Sequence, residues 1–97
     1  MSVDVILDLQ VSPENREELL SVFTAILPDT RAYKGCQSVV VTSNEDDVHN
    51  IALLEKWDQR SDHESYMAWR TERGDIDKLV SLLLSPPAVR YLTTVPI

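Results

Sequence analysis

Apolar and polar residues alternate at the start of the chain. Aliphatic side chains occupy every second position from Val3 to Val11, and a period of two is typical of a β-strand with one buried face. The next residues, Ser12-Pro13-Glu14, predict a helix start with Ser12 as N-cap and Pro13 at the first helical position. Apolar residues then recur at helical spacing as far as Leu27, and Pro28 is expected to end the helix there.

The middle of the chain predicts two strands joined by a hairpin. Residues 36–42 contain a run of three valines, residues 43–47 are turn formers, and residues 49–58 alternate in character. One face of the predicted third strand carries four residues, which are Ile51, Leu53, Glu55 and Trp57. This face is expected to lie under the helices, and the alternate residues are expected on the opposite face.

Two helices and a last strand are predicted in the second half. Ser61-Asp62-His63-Glu64 has the spacing of a capping box, which predicts a helix from Ser61 to about Arg73. Gly74 is placed to end that helix, and Asp75 to cap the next one. A proline pair breaks this further helix, and residues 89–95 predict the final strand.

The predicted element order is β-α-β-β-α-α-β, in one domain that spans residues 1–97. This order predicts an α+β protein of the ferredoxin-like split βαβ plan, with a four-stranded antiparallel sheet and helices on one face. The other face would be bare, although Ile6, Ala52 and Leu54 make it partly apolar. We therefore expect a second copy of the chain to cover it.

Charge and composition narrow the range of partners. The chain carries 16 acidic and 9 basic residues, for a net charge of −7, which argues against nucleic acid or an anionic membrane. No apolar run approaches the length of a membrane span. The first residues include an early aspartate and no basic segment, so no signal peptide is predicted and the expected location is the cytoplasm.

No cofactor or metal is expected from the sequence. Gly35 and Gly74 are the two glycines, so there is no glycine-rich phosphate loop. Cys36, the one cysteine, excludes an internal disulfide and fits a small buried residue. His49, with the aspartates of the neighbouring hairpin, is only a weak candidate for a metal ligand.

The segment Leu53-Leu54-Glu55-Lys56-Trp57, followed by the capped helix from Ser61 to Arg70, resembles a signature of the antibiotic biosynthesis monooxygenase (ABM) family. The opening strand and the closing Pro86-Pro87 fit this family of dimeric α+β barrel proteins too. The resemblance implies a homodimer whose two sheets close into a barrel, with a pocket between sheet and helices in each subunit. It also implies oxidation of quinols, polyketide-type phenols or anthrones by molecular oxygen, often without metal or flavin.

Two departures from the family pattern bear on the reaction. The heme-degrading branch has a histidine on this helix where the present chain has Met67. Oxygenating members tend to supply a pocket asparagine from a strand, whereas the third strand here offers only Asn50, and Leu53 stands where a polar residue would favour catalysis. A non-catalytic dimeric module that binds a small molecule therefore remains the alternative to a monooxygenase.

Three strand residues are candidates for binding a small aromatic substrate. Trp57 is either a core residue or a flat pocket wall that stacks on the ring, and Leu53 lies beside it. Glu55 needs a partner if it is buried, and Arg70 or Arg73 are the expected partners. Alternatively, Glu55 is a general base that takes a phenolic proton.

Three residues of the following helix are the catalytic candidates. Tyr66 and Arg70 are four residues apart and share a helix face, and His63 precedes Tyr66 by three. In the monooxygenase hypothesis, Arg70 stabilises the substrate anion and meets either Glu55 or the ligand, while Tyr66 or His63 relays the proton. In the alternative, these residues form a solvated or dimer-facing surface.

Overall fold

The computed structural model describes residues 2–97. It contains four strands, which are β1 (Val3–Gln10), β2 (Cys36–Asn44), β3 (Asp47–Trp57) and β4 (Ala88–Leu92). It contains three α-helices, which are α1 (Arg16–Ala32), α2 (Arg60–Glu72) and α3 (Asp75–Ser81), and a 3₁₀ turn at Pro13–Asn15 precedes α1.

The strands form one antiparallel sheet in the order β2-β3-β1-β4. The predicted α+β, ferredoxin-like arrangement is therefore confirmed. Val5 in the central strand β1 pairs with Glu55 on β3 and with Tyr91 on β4, and Glu55 pairs in turn with Val39 on β2. Because paired residues project from the same face, Tyr91 and Glu55 flank Val5 on the side that carries the helices.

The hydrophobic core lies between the sheet and α1. Alternate residues of β1 and β3 are buried, as their period of two predicts. From α1, Leu19, Phe23 and Leu27 pack against Leu9 and other strand residues. A second cluster, at the other end of the sheet, groups aromatic and valine side chains, which are Val3, Val5, Trp57 and Tyr66. This second cluster brings the predicted site residues of α2 onto β3.

The prediction that Pro28 ends the first helix is wrong. The helix α1 continues to Ala32, with Pro28 inside it. Proline removes one backbone donor, so the carbonyl four residues earlier, on Thr24, loses its helical partner. Both Pro28 and Thr24 are exposed, so water can satisfy that carbonyl, while burial of Leu27 and Thr30 favours continuation of the helix.

The predicted side-chain caps differ from the structure. Ser12 is the N-cap of the 3₁₀ turn that Pro13 begins, but it makes no capping hydrogen bond, and its hydroxyl oxygen is buried without a partner among residues 2–97. The helix α2 begins at Arg60 with Gln59 as its N-cap, so Ser61 lies inside the helix. Glu64 faces Arg60 at 3.5 Å instead of closing a capping box.

Gly74 follows α2 with φ of 82°, a left-handed conformation that favours glycine, as predicted. The prediction that Asp75 caps the next helix is wrong, because Gly74 is the N-cap of α3 and Asp75 is the first residue inside it. The Asp75 carboxylate accepts hydrogen bonds from Arg70 and Arg73 instead.

The remaining boundaries differ by a few residues. The hairpin is tighter than predicted, because β2 extends to Asn44 and β3 begins at Asp47. The last strand ends at Leu92 rather than at residue 95, and residues 93–97 are exposed. Within residues 2–97, no helix combines the length and the apolar content that a membrane crossing requires.

Candidate active site

A cavity of about 400 Å³ lies between the three helices and the helix-covered face of the sheet. Aliphatic and aromatic side chains form most of its wall, including Leu7 and Leu53 from the sheet and Phe23 from α1. Buried polar side chains also line it, and these are Thr30, Glu55, Tyr66 and Arg70. An apolar cavity with a few buried polar groups is the usual form of a small-molecule site.

Glu55 is a buried carboxyl group on the wall of this cavity. It lies on the inward face of β3, and its side chain is only 5% exposed. The indole Nε1 of Trp57 donates a hydrogen bond of 2.9 Å to Oε1 of Glu55. Burial raises the pKa of Glu55, and the hydrogen bond from Trp57 opposes that rise only in part. A carboxyl with a raised pKa at a cavity wall is suited to proton transfer.

His63 lies next to Glu55 but does not line the cavity. Its Nε2 is 3.9 Å from Oε1 of Glu55, and its Nδ1 forms a 2.7 Å hydrogen bond with the hydroxyl of Tyr91. Burial lowers the pKa of His63 to about 4, against a weaker opposing effect of Glu64. His63 is therefore neutral at pH 7, and its two ring nitrogens can play different hydrogen-bonding roles.

Tyr66, Thr30 and Arg70 form a buried hydrogen-bond network beside the cavity. The Tyr66 hydroxyl lies 2.6 Å from Oγ1 of Thr30 and accepts a 2.9 Å hydrogen bond from Nε of Arg70. Nη2 of Arg70 donates to Thr30 Oγ1 at 3.2 Å and to the carbonyl of Ile26 at 3.0 Å. The network links α1 to α2, and it fixes the orientation of the phenol ring.

The expected ion pair between Arg70 and Glu55 is not formed. Nη1 of Arg70 donates instead to Oδ2 of Asp75 at 2.9 Å, and Arg73 contacts the same carboxylate oxygen at 3.0 Å. Although partial burial disfavours the ionised form of Asp75, the hydrogen bonds from the two arginines lower its pKa. Arg70 points towards α1 and α3 because its partners lie there, and this leaves Glu55 with Trp57 and His63.

The structure divides the six predicted site residues into two groups. Four line the cavity, and these are Leu53, Glu55, Tyr66 and Arg70. Trp57 is fully buried behind the cavity wall, where it packs against the rings of His63 and Tyr66 at centroid distances of 5.3 Å. Trp57 and His63 therefore contact the groups that line the cavity rather than the cavity itself.

Sequence reasoning missed the contributions of α1, α3 and β4. Thr30 and Asp75 hold Arg70, and Tyr91 holds His63. The helical periodicity of α1 indicates a buried face, but it does not single out Thr30 as a polar member of that face. These contacts join residues far apart in sequence, apart from Arg70 and Asp75, so no local motif signals them.

Neither His49 nor Cys36 belongs to a cluster of potential metal ligands among residues 2–97. His49 is half-buried, and its Nδ1 lies 3.8 Å from Oδ1 of Asp47. Among residues 2–97, no three potential ligands from histidine, cysteine, aspartate and glutamate come together. Cys36 is half-buried and packs against the core, as expected for a small apolar residue, and burial raises the pKa of its thiol.

Solved structures share this fold. Rv0793 from Mycobacterium tuberculosis gives a TM-score of 0.86 at 24% identity, over 100% of this chain and 98% of that protein. A conserved protein from Methanosarcina mazei Go1 gives 0.87 at 16% identity, over 95% and 91%. An antibiotic biosynthesis monooxygenase gives 0.86 at 17% identity, over 97% and 99%. At these identities the likenesses establish the fold.

The family follows from the sequence itself. Comparison with curated protein sequences finds no significant match. The sequence model of the antibiotic biosynthesis monooxygenase family, in contrast, matches residues 2–72, which is well over half of the chain and includes β1, α1, β2, β3 and α2. The chain belongs to the antibiotic biosynthesis monooxygenase (ABM) family.

Proposed function

We propose that the chain is a cofactor-independent monooxygenase that oxidises a small phenol, quinol or polyketide-type aromatic compound with molecular oxygen. Membership of the ABM family supports oxygenase chemistry. The observation that carries the proposal is Glu55, a buried carboxyl group with a raised pKa on the wall of a mostly apolar cavity. A cavity of about 400 Å³ suits a compound of a few fused rings.

Glu55 is the proposed general base. In an anthrone-type oxidation, R₂CH₂ and O₂ give R₂C=O and H₂O, and the first step removes a proton from the carbon or from its phenolic tautomer. The carboxylate of Glu55 takes that proton, and the electron-rich anion then reacts with oxygen. A base with a raised pKa accepts the proton more readily than an exposed glutamate. The cavity contributes by orienting the ring and excluding water.

Arg70 and Tyr66 are the proposed stabilisers of the substrate anion. The guanidinium of Arg70 is always charged and lies on the cavity wall, so its field favours negative charge inside a site of low polarity. Its nitrogens already donate to Tyr66, Asp75, Thr30 and a backbone carbonyl. We therefore propose that Arg70 acts through its charge and through the Tyr66 hydroxyl, which can turn from Thr30 towards a ligand oxygen.

The proposal is tested by oxygen uptake with a panel of anthrones, quinols and dihydroxynaphthalenes, followed by mass spectrometry of the products. A monooxygenase adds one oxygen atom per turnover. Replacement of Glu55 by Gln keeps the size of the side chain and an acceptor for Trp57, and it should reduce kcat by about 100-fold or more, the usual contribution of a general base. Absence of turnover over the whole panel would contradict the proposal.

A non-catalytic binding module is the second candidate. It is favoured by the hydrogen bonds of Tyr66 and Arg70, which are satisfied within the protein, and by the apolar Leu53 on the cavity wall. Such a module would bind members of the same panel without consuming oxygen. Calorimetric titration of the same compounds therefore distinguishes the two candidates.

We propose further that the chain forms a homodimer through the bare face of the sheet. Val40, Leu54 and Ile6 are cross-strand neighbours on that face. Val40 is 54% exposed and Leu54 is 45% exposed, and Leu92 on β4 is 41% exposed nearby. A contiguous apolar surface of this kind favours association.

A further inference from the structure

His63 is buried between Glu55 and Tyr91, and the proposed reaction leaves it without a role. It projects from α2 over the row of the sheet in which Val5 separates Glu55 from Tyr91. One ring nitrogen faces the carboxyl group at 3.9 Å and the other bonds the phenol at 2.7 Å. The imidazole therefore joins a group on the cavity wall to a group at the sheet edge.

We propose that Glu55, His63 and Tyr91 form a proton path between the cavity and the solvent, with Tyr91 as its outer member. The proposal rests on the role of Glu55 as the base of the proposed function. Tyr91 is suited to the outer position because β4 is an edge strand and its side chain is only half-buried. The guanidinium of Arg60 lies 4.0 Å from the centre of its ring.

The path has two complementary hydrogen-bonding states. When Glu55 is ionised, His63 carries its proton on Nε2, which points to the carboxylate, and Nδ1 accepts from the Tyr91 hydroxyl. When Glu55 is protonated, its hydroxyl donates a hydrogen bond to Nε2. His63 then carries its proton on Nδ1, and this N–H donates a hydrogen bond to the Tyr91 oxygen. A neutral imidazole has one donor and one acceptor, so it satisfies both neighbours in either state. The 3.9 Å gap must shorten to a hydrogen bond for transfer, as catalytic hydrogen bonds commonly do when a ligand binds.

Proton transfer through these states conserves the number of protons and needs no reactant other than the substrate and water. Outward transfer starts with the His63 proton on Nδ1. Glu55 takes a proton from the substrate and passes it to Nε2, while the Nδ1 proton moves to Tyr91 and the phenolic proton of Tyr91 leaves to water. His63 then holds its proton on Nε2 and Glu55 is ionised. In the reverse sequence, water protonates Tyr91, the phenolic proton returns to Nδ1, and the Nε2 proton returns to Glu55, which delivers it to the cavity and leaves His63 ready for the next outward transfer. Oxidation of R₂CH₂ to R₂C=O yields water, so the proton that is removed first is needed again, and each turnover uses the path in both directions.

The surrounding charges are consistent with a neutral imidazole in the path. The titratable groups near His63 are Glu55 from β3, Tyr91 from β4, and Glu64 and Tyr66 of α2. Burial outweighs the attraction of Glu64 and lowers the pKa of His63 to about 4, whereas burial raises the pKa of Glu55 from its ordinary value. These opposite shifts favour titration of the carboxyl group beside a neutral imidazole.

The test is a ¹⁵N NMR titration of the free protein labelled in histidine, which needs no substrate. The chain has two histidines, so His49→Gln assigns the signals of His63. The path predicts that the proton of His63 moves from Nδ1 to Nε2 as the pH is raised through the pKa of Glu55. In Glu55→Gln this exchange should disappear, because the neighbouring side chain no longer titrates.

Tyr91→Phe tests the outer member of the path. It keeps the ring under Arg60 but removes the hydroxyl, so the Nδ1–H form loses its acceptor, and the pH response of His63 should shrink or vanish. Tyr33→Phe is the matched control, since Tyr33 is a half-buried tyrosine whose hydroxyl makes no hydrogen bond within residues 2–97. The path would be overturned if the proton of His63 stayed on the same nitrogen while Glu55 titrates. It would also be overturned if the pH response of His63 in Tyr91→Phe equalled that of wild type. Either result would leave the oxygen-uptake test of the proposed function unaffected.

Discussion

Trp57 and Glu55 lie two residues apart on the same face of β3, and the indole nitrogen of Trp57 donates a 2.9 Å hydrogen bond to Oε1 of Glu55. Trp57 is fully buried, so this donor is fixed in place. The hydrogen bond stabilises the ionised carboxylate, whereas burial destabilises it, and burial has the larger effect. The Glu55-Lys56-Trp57 segment of β3 therefore joins a packing residue to the buried carboxyl group beside the cavity.

Replacing Trp57 by Phe should raise the pKa of Glu55 further. A hydrogen bond to a charged group contributes about 1.5–3 kcal/mol, so its loss removes the one interaction that lowers the pKa of Glu55. Titration of the ¹³C-labelled carboxyl group by NMR measures this value. Trp69→Phe is the control, because Trp69 is half-buried and does not bond Glu55. An unchanged pKa in Trp57→Phe would show that the hydrogen bond does not control the acidity of Glu55.

Replacing Arg70 by Ala should reduce the free energy of unfolding by about 1–3 kcal/mol or more, the cost of leaving a buried hydrogen-bonding group such as the Tyr66 hydroxyl without its partner. Arg70 is 2% exposed and holds Asp75, Tyr66 and the end of α1 together. Urea denaturation measures the loss. Arg73 contacts the same carboxylate but is 54% exposed, so Arg73→Ala should cost less than about 1 kcal/mol. Equal losses in the two variants would contradict the structural role of Arg70.

The sequence predicted the elements well because their patterns are local. Alternation along β3 identified the buried face that carries Leu53, Glu55 and Trp57, and the first two of these residues line the cavity. The partners of Arg70 could not be predicted in the same way. Thr30 and Ile26 lie 40 and 44 residues away, and their contacts depend on how α1 packs against α2.

Pro28 illustrates a different error, in which a prediction from a local rule is wrong because tertiary packing overrides the rule. Proline costs an interior helix one hydrogen bond, and this argued for an early end. The residues around it, Leu27 and Thr30, are buried, while Pro28 faces water. The extension of α1 is what brings Thr30 to Tyr66 and Arg70, so the misplaced helix end also concealed one wall of the site.

The stability of the protein should fall in acid through His63. The folded protein holds His63 with a pKa of about 4, below the ordinary value of 6.5, so the unfolded chain binds the proton first as the pH drops. The contribution of His63 to the free energy of unfolding is complete above pH 6.5, falls between pH 6.5 and about 4, and is lost below that. This contribution is about 3 kcal/mol. Glu55 has a raised pKa, so its own contribution changes with pH in the opposite direction.

Urea denaturation at several pH values tests this dependence. The variant His63→Gln stays neutral and should lose less stability between pH 6.5 and pH 4 than wild type does. His49→Gln is the control, because it removes the other histidine, whose side chain is 40% exposed, and leaves the buried His63 in place. If His63→Gln and wild type lose stability in parallel, another group is responsible for the acid response.

The homodimer proposal makes a prediction about the bare sheet face. A stable interface of this kind buries on the order of 2,000 Å² in total, and a charge at its centre is costly to desolvate. Leu54 lies between Val40 and Ile6 across the sheet, so Leu54→Glu should yield a monomer. Val80 is 41% exposed on α3, which packs on the helix-covered side of the sheet, so Val80→Glu should not change the assembly. Light scattering at micromolar concentration should give twice the 11.0 kDa chain mass for wild type and Val80→Glu, and the single mass for Leu54→Glu. A wild-type mass of 11.0 kDa, or a dimer that persists in Leu54→Glu, would rule out association through this face.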